Sequence, residues 1–162
     1  MEGYLRRPEA TSATIDGDGW LHTGDLGSLD AEGLLRFHGR LRDMIVRGGE
    51  NVYAKEVEDA IESHPGVAQA AVVGLPDDHW GEIVAAAVVR SADAHLVPDD
   101  LNAWVTQRLA SFKRPGVWHI VDELPVTASG KPQKFKIVAA LNEARDGRSR
   151  SACAQPHESG GN

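Results

Sequence analysis

Val67-Ala68-Gln69-Ala70-Ala71-Val72-Val73-Gly74-Leu75, then Pro76-Asp77-Asp78, then Glu82-Ile83-Val84-Ala85-Ala86-Ala87-Val88-Val89-Arg90: these runs decide the architecture. Both are rich in valine and alanine, and the β-branched residues among them suit a pleated, packed surface. The proline and two aspartates between them are turn residues. The stretch predicts two paired strands. On its N-terminal side, a helix is expected from Ala54 to about His64. Val57, Ala60, Ile61 and His64 share one face, while Lys55, Glu58, Asp59 and Glu62 lie elsewhere. Pro65-Gly66 stops that helix. Before it, Arg42 to Val46 and Val52-Tyr53 flank a Gly48-Gly49 turn. On the C-terminal side, Pro98-Asp99-Asp100 opens a helix to about Ala110, with Leu101, Trp104, Val105 and Leu109 inward. Val117 to Val121 reads as a short strand, and residues 132–144 begin irregularly and become a third helix. The expected class is α+β: a β-hairpin and a short sheet packed by about three helices.

Three zones follow. Residues 39–141 hold that compact domain, large enough for one modest core. Residues 1–38 form a β-rich segment with turn signals at Asp16-Gly17-Asp18-Gly19, Thr23-Gly24-Asp25 and Asp30-Ala31-Glu32-Gly33. Trp20 to His22, Leu26 to Leu29 and Leu34 to His38 read as short strands between the turns, and residues 1–14 read as irregular. This zone cannot bury a core of its own. Apolar surface around Trp20, Leu26 and Leu34 is therefore expected to stand exposed. Residues 142–162, rich in Gly, Ser and Arg, are expected to be disordered.

Composition narrows the function. Within 162 residues the net charge is -7, and no basic stripe offers a general nucleic-acid surface. The single cysteine, Cys153, allows neither an intrachain disulfide nor a thiolate metal cluster. That composition suits a reducing cytoplasm. Residues 1–8 carry no apolar leader. The longest mainly apolar run, Ile83 to Val89, is too short to span a bilayer. The seven histidines are scattered, so no protein-ligated metal is expected.

Four short patterns bear on chemistry. Lys131 follows Ser129-Gly130 and precedes Pro132, on a shaped loop that can carry a point charge to a phosphate or carboxylate. A lone lysine of this kind is more often a solvated surface residue. The loop is not a phosphate-binding P-loop, because Pro125 and Pro132 occupy positions that motif reserves for glycine and Ser or Thr. Asp25, after Gly24, could accept two ribose hydroxyls. Taken alone it fits a turn aspartate better. Arg40 and Arg42 alternate on what reads as an extended segment, so both would point one way, toward a sugar or phosphate or toward solvent at a strand edge. Gly48-Gly49 fits a plain hairpin turn and a close backbone approach equally well.

Their order is more specific than any one of them. Trp-Leu-His-Thr-Gly-Asp-Leu (20–26), Gly-Arg-x-x-Asp-x-Ile (39–45), Gly-Gly-Glu-Asn-Val-Tyr-x-x-Glu-Val-Glu (48–58) and Leu-Pro-x-Thr-x-Ser-Gly-Lys (124–131) closely resemble the adenylate-forming acyl-CoA synthetases. Val73-Gly74-Leu75-Pro76-Asp77 and Ser111-Phe112-Lys113-Arg114-Pro115 also look like family segments. The resemblance covers about Gly3 to Leu141. It implies a fatty-acid or aryl-acid CoA ligase, in which ATP converts a carboxylic acid to an acyl-adenylate and coenzyme A takes the acyl group.

By that resemblance Asp25 binds ribose hydroxyls, Arg40 supports the nucleotide, and Arg42 is the hinge between a large domain and a small mobile one. Lys131 is the adenylation lysine. Gly48, Gly49 and Trp80 lie near pantetheine, and Lys113 and Arg114 near the coenzyme A nucleotide. Mg2+ would arrive with the nucleotide. The family's phosphate loop, acyl pocket and adenine-binding segment are missing from these residues. The chain is therefore expected to be inactive alone, needing an N-terminal domain or a separate N-terminal chain, with residues 1–38 a remnant of that domain. The alternatives are a stand-alone module that binds coenzyme A or a partner, and an adenylation-domain fragment delivering to a carrier protein.

Overall fold

The computed structural model describes residues 1–92 and 94–152. Contacts divide the chain into two compact units, Met1–Asp43 and Met44 onward. The class is α+β, as expected.

The second unit contains the paired runs. β3 (Met44–Arg47) and β4 (Glu50–Tyr53) form a hairpin that leads into α2 (Ala54–Glu62). β5 (Val67–Asp77) and β6 (Gly81–Arg90) pair antiparallel from end to end. α3 (Pro98–Thr106), β7 (Val117–Val121) and α4 (Lys134–Ala152) follow. The sheet has five strands in the order β4-β3-β6-β5, and β7 also pairs with β6. Since β5 fills one edge of β6, β3 and β7 share the other. β3 touches it at Arg47 and Gly81, and β7 lies parallel to residues 85–89. Glu82 reinforces the sparse β3 join by accepting the Val46 N–H at 2.7 Å.

Both faces of this sheet are covered, which is why the strand sequences are apolar throughout instead of alternating. Val72, Val84, Ala86 and Val88 pack with Val57 and Ile61 of α2 and Leu101 and Val105 of α3. Ala71, Val73, Leu75, Ala85 and Ala87 pack with Ile137 and Leu141 of α4. Val67 and Ala70 share the first face despite their odd spacing, because a bulge between Val67 and Gln69 inserts one residue.

The first unit comprises α1 (Pro8–Thr14), β1 (Asp25–Leu29) and β2 (Leu35–Arg40), the two strands forming an antiparallel hairpin. Three sequence expectations change here. Residues 8–14, read as irregular, are helical. Pro8 opens the helix, and the Ser12 and Thr14 hydroxyls bond back to Glu9 and Ala10 carbonyls. No residue of α1 is buried, so no apolar period marked it. Trp20 to His22 is not a strand. The segment is folded back by Asp16, whose Oδ1 accepts the N–H of Trp20 at 2.8 Å and of Asp18 at 3.1 Å, leaving one bridge between Ile15 and Leu21. Arg42 is not extended either. β2 ends at Arg40 and Leu41–Asp43 is a 3-10 turn. Such a turn rotates by about 120° per residue, so alternation does not align Arg42 with Arg40.

Trp20, Leu29, Leu34, Leu35 and Phe37 are exposed, as expected for this unit, while Leu26 is half-buried. In the second unit α2 and α3 stop short of His64 and Ala110, and α4 continues past Ala144 to Ala152. The amphipathic pattern fades after Ala144, but no proline interrupts the chain before Pro156. The disorder expected of residues 142–162 falls partly on 153–162, outside the described residues. No helix of the described residues is long and apolar enough to cross a membrane, and none of their His, Cys, Asp or Glu residues cluster as a metal site.

Candidate functional site

In the first unit, Asp25 and Arg40 are cross-strand partners of β1 and β2, with Arg40 Nε 3.3 Å from Asp25 Oδ1. Gly24, at φ +73, turns the chain into β1, and the Thr23 hydroxyl accepts the Asp25 N–H. Leu41 N–H closes the same end on the Gly24 carbonyl at 2.8 Å. Both side chains remain about half exposed, which leaves carboxylate lone pairs open to hydroxyl donors. Arg42 is well exposed, its Nε 3.7 Å from Asp43 Oδ1, at the boundary between the units.

In the second unit, Gly48 and Gly49 form the two-residue turn of the β3–β4 hairpin. Their φ values, +58 and +86, are those of a tight hairpin turn that favours glycine, with Asn or Asp the usual substitutes at the first position. Gly48 has a further reason to lack a side chain. A Cβ there would lie 2.7 Å from Cε3 of Trp80, and its N–H donates to the Trp80 carbonyl at 2.8 Å. Both glycines serve the turn, but only Gly48 meets a close approach, from the chain's own Trp80; a Cβ at Gly49 would meet nothing within 4 Å. Trp80 rests on this turn with 45% of its surface exposed, His79 edge-on to its ring and the Arg47 guanidinium 5.4 Å from its centroid. Asp77 Oδ1 accepts the N–H groups of Trp80 at 2.9 Å and His79 at 3.0 Å. The Trp80 amide, then the His79 amide, hold the Asp77 carboxyl below its ordinary 3.8, because both bonds favour the charged form.

Arg47 ties this platform to the next element. Its Nη1 donates to the Phe112 carbonyl at 3.0 Å, in the 3-10 turn Ser111–Lys113. Lys113 is paired, with Nζ 2.6 and 2.8 Å from the two Glu56 oxygens. Arg114 donates to the Leu109 and Thr106 carbonyls, satisfying the C-terminal end of α3.

Lys131 stands on a tight loop. The Thr127 N–H donates to the Lys131 carbonyl at 2.8 Å, Gly130 sits at φ +78, and Val126 bridges Pro132. The Gln133 side chain donates to Val126 O at 2.8 Å, and Thr127 Oγ1 accepts the Lys131 N–H. The backbone is thus held while the side chain is exposed, and among the described residues it has no acidic partner.

The structure thus joins Asp25 to Arg40 in one unit and Gly48 to Trp80 in the other. Lys131 shares no hydrogen bond or ion pair with the other candidates among the described residues. Arg47 and Asp77 are the residues of the Trp80 platform that sequence reading passed over. The position of Arg47 directly before the Gly-Gly turn was the available sign.

Residues 56–131 match the family described as AMP-binding enzyme C-terminal domain. The chain is 49% identical, over 83% of its length, to the 3-[(3aS,4S,7aS)-7a-methyl-1,5-dioxo-octahydro-1H-inden-4-yl]propanoyl:CoA ligase of Rhodococcus jostii, and covers 26% of that protein. It is 44% identical, over 81% of its length, to a fatty acid–[acyl-carrier-protein] ligase of Streptomyces coeruleorubidus, covering 25% of it. Among solved structures it resembles o-succinylbenzoate CoA synthetase from Bacillus subtilis in complex with its acyl-adenylate intermediate. That match has a TM-score of 0.79 and 39% identity, over 85% of this chain and 28% of the other. The chain spans about a quarter of the length of the curated relatives it matches.

Proposed function

We propose that this chain, whose residues 56–131 match the AMP-binding enzyme C-terminal domain family, works as the C-terminal portion of an AMP-forming acid-CoA ligase. The observation that carries the reading is Lys131, within the matched residues and exposed on a held loop. The whole activity converts a carboxylic acid and ATP to an acyl-adenylate and pyrophosphate, then passes the acyl group to the thiol of coenzyme A with release of AMP.

In the first half-reaction the Lys131 ammonium offsets negative charge shared between the substrate carboxylate and the α-phosphate. A positioned cation of this kind lowers the barrier because it needs no reorganisation when charge develops. Asp25 accepts the ribose hydroxyls, and Arg40, across the hairpin, aims that carboxylate. Mg2+ arrives on the nucleotide. Arg42, exposed at the boundary of the two units, is the pivot. In the second half-reaction the Gly48–Trp80 platform borders the pantetheine arm. Gly48 seats the Trp80 ring, which offers an apolar wall, and Gly49 leaves backbone accessible. Lys113 reaches the coenzyme A phosphates by exchanging Glu56 for them, and Arg114 borders them from the end of α3. The N-terminal domain supplies the phosphate loop and acyl pocket, and the complete enzyme works in the cytoplasm. A carrier-protein thiol in place of coenzyme A is the second reading, favoured by the carrier-protein ligase among the relatives.

The test is ATP–pyrophosphate exchange with a panel of fatty and aryl acids, using this chain alone and joined to the N-terminal part of a relative. The reading expects exchange only in the joined protein, and then thioester formation on adding coenzyme A. Substantial exchange by the chain alone, or none by an otherwise folded joined protein, overturns it.

A further inference from the structure

The Trp80 platform is tied down from its far side by a residue outside the family match. Arg145, late in α4, donates from Nη1 to the Pro76 carbonyl at 2.9 Å. Its guanidinium also contributes attraction to the Asp77 carboxylate, alongside His79. Asp77 in turn holds the N–H groups of His79 and Trp80, and the Trp80 carbonyl holds Gly48 N–H. A continuous chain of bonds therefore runs from α4 to the hairpin turn. α4 is packed through Ile137 and Leu141 against β5 and β6.

We propose that Arg145 is a positioning residue for the Trp80 platform, acting through the Pro76 carbonyl and the Asp77 carboxylate. It fixes where the turn Pro76–Trp80 sits and favours the ionised Asp77 that orders the turn's amides. The same helix begins three residues after Lys131, so α4 links the loop of the adenylation lysine to the platform assigned to the acceptor thiol. The functional weight of the inference rests on that assignment. The positioning itself does not, and can be tested on the whole chain without any ligand.

The experiment follows the backbone amides of His79 and Trp80 by NMR as pH is lowered, in the unaltered chain and in Arg145→Gln and Arg145→Lys. Arg145 and His79 both act on the Asp77 carboxylate, so the midpoint reports their combined field. Loss of Arg145's charge should move the midpoint of the Trp80 amide shift to higher pH. It should also speed exchange of both amides about two- to fivefold, the size expected of an exposed charge contact. Lysine should restore the midpoint more than the exchange rate, since it keeps the charge but not the planar donor. An unchanged midpoint and exchange rate in Arg145→Gln would overturn the proposal. So would equal acceleration at the β5–β6 amides, which would mark a merely structural loss, and Arg145→Lys makes the same decision if Arg145→Gln does not fold. Coenzyme A titrated onto the unaltered chain checks the acceptor assignment separately. A Trp80 signal indifferent to coenzyme A counts against that assignment only.

Discussion

Glu58 and Lys134 meet over the open edge of β5. Glu58 Oε1 lies 2.9 Å from Lys134 Nζ and accepts the Val72 N–H at 3.0 Å. Two residues along, Glu62 accepts the Ala70 N–H at 3.0 Å. β6 occupies only one side of β5, so these amides would otherwise be bare donors on an edge strand, an invitation to pair with another chain. α2, from one face of the sheet, supplies the acceptors. Lys134, at the start of α4 on the other face, pairs with one of them. The ion pair thus joins the two layers at the place where the chain leaves the Lys131 loop.

Glu58→Ala should destabilise the chain by about 2 kcal/mol, because it strands a partly buried amide and removes an ion-pair partner of Lys134. Glu58→Gln should lose about half as much, since its side-chain carbonyl still accepts the Val72 N–H. Thermal unfolding gives the totals. Faster exchange of the Val72 amide in the alanine variant than in the glutamine variant would locate the cause.

The two glycines of the hairpin should separate turn strain from close approach. Gly49→Ala meets no atom within 4 Å, so only its positive φ is penalised, by about 1 kcal/mol. Gly48→Ala carries a similar φ penalty and also drives a methyl group into the Trp80 ring. It should cost about 2–3 kcal/mol and shift the Trp80 indole signal. Equal losses from denaturant unfolding of the two variants would show that Trp80 yields freely.

Lys131→Ala should leave stability within about 0.5 kcal/mol of the unaltered chain, because the side chain is exposed and without an acidic partner among the described residues. In the joined enzyme the same change should lower ATP–pyrophosphate exchange by about 100- to 1,000-fold. Thioester formation from a supplied acyl-adenylate should be far less affected. Parallel losses in both half-reactions would contradict a role confined to adenylation.

Asp77 sets an acid limit on the platform. Its folded carboxyl lies below the ordinary 3.8, so its bonds contribute fully above that value and are lost as pH falls through the depressed one. The His79 and Trp80 amides should therefore lose protection only below pH 3.8. Asp77→Ala should abolish that step, read from the same two amide signals against pH.

The exposed apolar side chains of the first unit lead to a fifth expectation. A two-stranded hairpin is marginal in water. Amides of β1 and β2 should exchange orders of magnitude faster than those of β5 and β6, whose faces are both buried. Hydrogen exchange measured along the whole chain checks this, and comparable protection in both hairpins would refute it.

Much of the fold was legible because it is local. The valine runs of β5 and β6, the stop at Pro65-Gly66 and the start at Pro98 each act within a few residues. The elements misread are those without an apolar period: α1, which buries nothing, and the Leu41–Asp43 turn, where charges imitated a strand. The order of the motifs singled out Asp25, Arg40, Gly48, Gly49 and Lys131 as candidates, and the resemblance added Trp80. Nothing in the sequence marked the contacts of Arg47 and Arg145. Arg47 finds its carbonyl 65 residues away, and Arg145 finds its own 69 away.

Local chemistry alone marked the strands and helices of the second unit, the need for glycine at the hairpin turn and the shaped loop under Lys131. Backbone preference and side-chain periodicity act over a few residues and are written directly in the chain. The tertiary structure alone decided that β7 runs parallel beside β6, that Trp80 lies on Gly48, and that α2 and α4 close over the edge of β5. Those relationships depend on which distant groups meet once both faces of the sheet are buried, and a hydrogen bond between distant residues leaves no periodic trace in the sequence.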